Sequence, residues 1–240
     1  MADLLALYQT YKRTLVRITA EDGAGDLSTG TGFHIGDGWI VTARHVVENL
    51  KIHEIAAEQG ADKIVVKRQI FPANPDIDLA LLETDFELSH YMTKTTLMNM
   101  PDGFKKVDHI ELGGHLDDWL GDELYLSKVL LMGYPPVPLS IGPMLLASEG
   151  EVNGIVDKVN APHPQFIISC MARGGFSGGP VLSEYGFLLG VLTESLVGNV
   201  PVAELGFCSA ISIEPLLMLL HEHKIYPASN GPLIKELMDH

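Results

Sequence analysis

From residue 14 to residue 213 the apolar residues arrive only in short runs. TLVRIT, TGFHI, WIVTA, KIVVKRQIF and LALLET come first, then YLSKVLLMGYP, GEVNGIVDKV, QFIISCMA, GPVLSEYGFLLGVLTES and LGFCSAIS. The runs are rich in β-branched residues, and Gly, Asp, Asn or Pro break almost every one. No long helix survives such punctuation, and evenly spaced short strands suit a sandwich or a barrel. The expectation is therefore an all-β fold. Helical spacing is confined to DLLALYQTYK at residues 3–12 and to SIEPLLMLLHEHK near the C-terminus, with HVVENL reading as a single helical turn. The 240 residues, 46% of them hydrophobic with 24 Gly and 14 Pro, fit a compact, turn-rich protein. The weakly patterned stretch from 85 to 120, with a PDG turn at 101–103, is the natural crossover between two lobes. The expected parts are a helical extension over 1–13, a first lobe over 14–104, a second over 105–213, and a terminal helix and tail over 214–240.

Charge excludes some partners. Sixteen basic against 31 acidic residues leave a net charge of −15, which repels nucleic-acid phosphates and anionic membranes. No run of apolar residues is long enough to span a bilayer. The opening segment puts its positive charges after its apolar patch, the reverse of a secretory signal. Two cysteines, Cys170 and Cys208, fall far short of a disulfide framework and read as reduced thiols. A cytoplasmic location is the resulting expectation.

RGGFSGGPVL, residues 173–182, is the most informative stretch. A serine with glycines on both sides lets the backbone bend sharply and present its hydroxyl clear of other side chains. The same bend can aim the N–H groups of Gly175 and Ser177 into one small volume, as an oxyanion hole requires. Read alone, the stretch could also be a glycine-rich turn. Its letters also satisfy the G-x-S-x-G elbow of α/β-hydrolases, but that elbow continues into a helix. Here Gly178, Gly179 and Pro180 lead into strand-like sequence, and the later histidines lie on or beyond a terminal helix.

A serine hydroxyl needs a base, and the base needs an orienting group. Ten histidines are available. His45 follows the apolar strand GWIVTA and opens a helical turn, at the rim of a barrel. His34, His53, His90, His109, His115 and His163 read as surface histidines. His221 and His223 lack a third ligand, so no metal site is expected. The acid should be a charge entering apolar sequence, where burial demands a partner. PDIDLALLETD supplies Asp78 directly before LALL, while Asp76 lies further out in the turn. Asp78 is preferred on burial, with Asp76 as its rival.

With those residues in hand, the sequence resembles the trypsin/chymotrypsin-like serine peptidase superfamily, with the look of bacterial trypsin-like and Deg-type peptidases. TGTGFHIGDGWIVTARHV (29–46) resembles the family's histidine block, DIDLALL (76–82) its aspartate block and RGGFSGGPVL its serine block. The order His, Asp, Ser, with gaps of 33 and 99 residues, suits that fold and neither of the two unrelated triad folds. The resemblance implies two antiparallel Greek-key β-barrels with the site in the cleft between them, and His45, Asp78 and Ser177 as a triad. It further implies peptide-bond hydrolysis through an acyl-enzyme, on a polypeptide substrate, without a cofactor.

Phe176 stands where secreted members carry the aspartate that a new N-terminus pairs with, and no IVGG-like start occurs. That activation switch is absent, which leaves room for an activating protein partner or for a scaffold role on a protease fold. Arg44 replaces a small residue before the histidine and could bring charge to the cleft. A PDZ-like module after the terminal helix is not expected. By the same resemblance Met171, six residues before the serine, forms the base of the specificity pocket and points to medium apolar side chains. Thr193, Glu194 and Ser195 form the wall that pairs with substrate backbone.

Overall fold

A computed structural model describes residues 3–57, 63–87, 90, 107–113, 123–158, 161–170, 174–197, 204–227 and 230–238. Helix α1 (Leu4–Tyr11) opens the chain, with the Asp3 carboxylate accepting the Leu5 N–H as its cap. Six strands follow: β1 (Leu15–Glu21), β2 (Leu27–His34), β3 (Trp39–Thr42), β4 (Lys51–Ala57), β5 (Val66–Ile70) and β6 (Ala80–Thr84). They form one antiparallel sheet in the order β4-β1-β2-β3-β6-β5. The second set is β7 (Lys128–Gly133), β8 (Leu146–Lys158), β9 (Ala161–Ser169), β10 (Pro180–Ser183), β11 (Leu188–Val197) and β12 (Glu204–Ser212). These close into a barrel, β10-β11-β12-β9-β8-β7, with β10 pairing back onto β7. Helices α2 (Glu214–Glu222) and α3 (Gly231–Met238) follow the last strand. The all-β expectation holds, with one closed barrel and one sheet that curls without full closure. Among the described residues one backbone bond, Ile64 N–H to the Ile55 carbonyl, reaches from ahead of β5 to the far edge strand β4.

Why the runs are continuously apolar, rather than alternating, follows from the packing. Successive residues of a strand point to opposite faces. Val16, Ile40 and Leu82 fill the interior of the first sheet, while their chain neighbours Leu15, Val41 and Leu81 face the other way. In the barrel Leu131, Val181 and Leu192 point inward, and Leu130, Leu182 and Val191 point outward. The outward sets of both lobes share one core with Leu216, Leu217, Leu219 and Leu220 of α2. Each lobe is thus buried on two faces where it meets the other, and the seam between them is as apolar as either interior.

Two buried polar groups tie the segment at 108–112 to the first lobe. Asn230, just ahead of α3, donates through its amide to the carbonyls of Ile35 and Ile110, and its side-chain oxygen accepts the Leu112 N–H. His34, at the end of β2, is buried rather than on the surface as the sequence suggested. Its Nε2 accepts the Gly38 N–H at 2.9 Å, so Nδ1 carries the proton and donates to the Asp108 carbonyl. Burial pushes its pKa down from 6.5 to about 4.

The unfolded chain therefore takes up that proton first as pH falls. His34 costs the fold nothing above pH 6.5, and stability drains between there and about 4. The loss amounts to about 3 kcal/mol. Denaturant unfolding at closely spaced pH values should show that acid-side loss in the wild type and a shallower one in His34→Gln. Identical slopes in the two proteins would remove His34 as its source.

Candidate active site

His45 sits in a 3-10 turn, Arg44–Val46, that follows β3 directly. The turn lies close over β2 because Gly30 has no side chain: a Cβ there would run into Val46. Asp78 arrives from the other side, at the end of a tight turn before β6. In that turn the Asn74 side-chain oxygen accepts the Asp76 N–H at 3.0 Å. Asp78 then divides its two oxygens. Oδ1 accepts the His45 backbone N–H at 2.9 Å, and Oδ2 meets His45 Nδ1 at 2.7 Å. A carboxylate can only accept, so Nδ1 donates and the lone pair is left on Nε2. The His45 side chain is 51% exposed and the Asp78 side chain 30%, so the ring opens toward solvent while the acid is more covered. Asp76 is exposed in its turn.

Ser177 is half-buried in the turn before β10. Gly175 and Gly178 on either side hold φ values of +99° and +84°, which L side chains rarely adopt. Space forbids side chains there as well. A Cβ on Gly175 would lie 2.5 Å from the Tyr134 carbonyl oxygen, and one on Gly178 would collide with the Thr31 carbonyl oxygen and Thr42 Oγ1 and lie 2.8 Å from Ala43 N. The Gly178 N–H donates to the Leu192 carbonyl at 2.7 Å and the Gly179 N–H to that of Phe176 at 2.8 Å. Among the described residues, neither the Gly175 N–H nor the Ser177 N–H has a hydrogen-bond acceptor. Both donors remain available.

What joins the serine loop to the histidine turn is Thr31 of β2, fully buried. Its N–H donates to the Ser177 carbonyl at 2.9 Å, and its hydroxyl donates to the Gly175 carbonyl at 2.6 Å while accepting the Tyr134 N–H at 2.9 Å. The Thr31 carbonyl in turn accepts the Thr42 hydroxyl at 2.6 Å, at the end of the strand that leads to His45. The serine loop and the histidine turn therefore come from different lobes and approach each other where Gly178 lies against Ala43, two residues before His45. Thr31 escaped the sequence reading. Its one signal was a β-branched residue between two glycines in TGTG, and nothing in that pattern tells which lobe the hydroxyl serves.

The remaining site candidates are placed as follows. Met171 lies outside the described residues. Thr193 is buried, and its hydroxyl donates to the Ser209 carbonyl at 3.3 Å. Glu194 and Ser195 pair with Ser209 and Cys208 of β12. Among the described residues β10 pairs with β11 only up to Val191, so the other edge of β11 at 194–195 has no strand beside it. His90 and His163 are buried, contrary to a surface reading, and His163 Nδ1 lies 3.3 Å from Glu214. His53 pairs with Glu21 and His109 with Asp108. Among the described residues no cluster of His, Cys, Asp or Glu could hold a metal ion, and no helix is long and apolar enough to cross a membrane. Cys170 and Cys208 form a disulfide within the barrel core, where reduced thiols were expected. β9 and β12 are adjacent and Cys208 pairs with Ile168, so the end of β9 brings Cys170 alongside. Their pairing removes one support for a cytoplasmic location.

The trypsin-like peptidase domain model matches residues 30–191. No curated protein matches the sequence. The Rv3671c protease from M. tuberculosis in its active form aligns over 91% of this chain and 82% of its own, at 16% identity and TM-score 0.62. The HtrA-type protease AlgW with tripeptide aligns over 93% of this chain at 16% identity and TM-score 0.64, and the chain spans 64% of its length. The serine endoprotease from Yersinia pestis aligns over 94% of this chain and 67% of its own, at 18% identity and TM-score 0.61. At such identities the likeness is one of fold.

Replacing Thr31 by Val keeps the shape but strands the buried Tyr134 N–H and the Gly175 carbonyl. A loss of about 1–3 kcal/mol in urea unfolding is expected. A variant as stable as wild type would show that the threonine hydroxyl does not hold the lobes together.

Proposed function

The chain belongs to the trypsin-like peptidase family, and on that premise we propose that it is a serine endopeptidase working through Ser177, His45 and Asp78. The observation that supports this most is the Asp78–His45 pair, 2.7 Å between Oδ2 and Nδ1, in a turn whose first residues lie against Gly178 of the serine loop. Asp78 fixes the imidazole tautomer and steadies the imidazolium that forms. His45 Nε2 takes the Ser177 proton as Oγ attacks the substrate carbonyl. The tetrahedral oxygen then carries negative charge, and the Gly175 and Ser177 N–H groups are the donors that would receive it. The intermediate collapses as His45 returns the proton to the leaving amine, leaving an acyl-enzyme. Water activated by the same imidazole releases it. No cofactor takes part in these steps.

An extended polypeptide would bind as an added strand on the open edge of β11 at Glu194 and Ser195. With Met171 as the base of the pocket, the side chain ahead of the scissile bond would be of medium apolar type.

Incubation with a fluorophosphonate probe, read by intact mass, tests the reading. Wild type should take up one probe per chain, and Ser177→Ala none. An unlabelled wild type across neutral to mildly alkaline pH would defeat constitutive activity, leaving the partner-gated or scaffold role on the same fold.

A further inference from the structure

Arg44 does not bring its charge to the cleft, as its place beside the histidine suggested. Its side chain is only 13% exposed, and Nη2 lies 2.8 Å from Oε1 of Glu48, one helical turn on. That carboxylate balances the guanidinium and is itself held below the usual range by it, with Asp78 opposing. The remaining contacts go to the segment that carries the acid. Nη1 donates to the carbonyls of Pro72 at 3.1 Å and Asn74 at 3.2 Å, and the guanidinium lies over the Phe71 ring, 5.1 Å from its centre.

Asn74 is the hinge of that segment. Its carbonyl, besides receiving Arg44, accepts the Ile77 N–H at 3.3 Å, one residue before Asp78. Asp78 then returns to the His45 N–H and ring. The contacts close a loop: Arg44 holds the turn at 72–74, the turn presents Asp78, and Asp78 holds the residue that follows Arg44.

We propose that Arg44 is the positioning residue of this site, clamping the 71–78 segment so that both oxygens of Asp78 meet His45. It touches none of the reacting groups. The role needs a planar fork that bonds two carbonyls and a carboxylate while lying flat on a ring, which an ammonium cannot reproduce. The catalytic meaning of the clamp rests on the triad reading above, but the clamp itself does not.

The test uses Arg44→Ala and Arg44→Lys, with Asp78→Asn as reference. Two readouts apply: the downfield proton resonance of His45 Nδ1–H, and the rate of fluorophosphonate labelling. Thermal unfolding and near-UV circular dichroism check the fold. In the alanine variant the resonance should weaken or vanish as it does in Asp78→Asn, and labelling should slow about 10- to 100-fold, as a misplaced catalytic group does. The lysine variant keeps the charge and the stem, so it should fold like wild type and still fall short in both readouts. Should the alanine variant fail to fold, lysine decides alone. Folded variants that keep the resonance and label within about twofold of wild type would overturn the proposal. An unlabelled wild type would count against the triad reading instead, and the resonance would still judge Arg44.

Discussion

The site hangs on one buried threonine, three of whose four polar connections cross the seam between the lobes while the fourth ties it to the strand that leads to His45. Thr31 belongs to the first sheet by its pairing with Arg17, yet its N–H and hydroxyl serve the carbonyls of Ser177 and Gly175. In an apolar seam each of those groups would be costly to leave unpaired. The serine loop can satisfy them only in one position, and in that position Gly178 comes against Ala43, two residues from His45. The register of β2 thus settles where the two halves meet. A slip of one residue would turn a different side chain to the seam and separate them.

The glycines around Ser177 follow from that closeness. A loop pressed onto another lobe by backbone bonds has no room for Cβ atoms on the pressed face, and its bends demand positive φ at Gly175 and Gly178. Among the described residues the Gly175 and Ser177 N–H groups have no acceptor. Rigidity supports the arrangement from behind. The disulfide between Cys170 and Cys208 ties the end of β9, where the chain leaves for the serine loop, to β12 in the barrel core.

The electrostatics divide by burial. Ion pairs such as Arg68 with Glu83 or Lys128 with Glu149 lie at the surface, where solvent screening leaves them small contributors to stability. The polar groups that decide geometry are the covered ones. Arg44 is bonded through both terminal nitrogens, His34 is kept neutral by burial, and Asn230 satisfies three backbone groups at once. Each links segments far apart in the chain, so each acts on tertiary placement and not on any single strand.

The fold class was legible because it depends on local patterning. Short apolar runs with Gly and Pro between them exclude long helices, and every strand but β4 overlaps one of those runs. His45, Asp78 and Ser177 were legible as candidates because a charge before LALL, a histidine after WIVTA and a serine among glycines are each odd for their neighbourhood. The burial of His34, His90 and His163 was not, because it depends on segments distant in sequence, as Asp108 lies against His34 and Glu214 against His163. The pairing of Cys170 with Cys208 and the inward turn of Arg44 were hidden for the same reason. Sequence by itself determined which residues could carry the chemistry and that they lie on strands and turns, since those properties arise within a few residues. Only the tertiary structure decided which candidates meet, because contacts such as Thr31 to Gly175, 144 positions apart, exist only once two sheets have closed on one another.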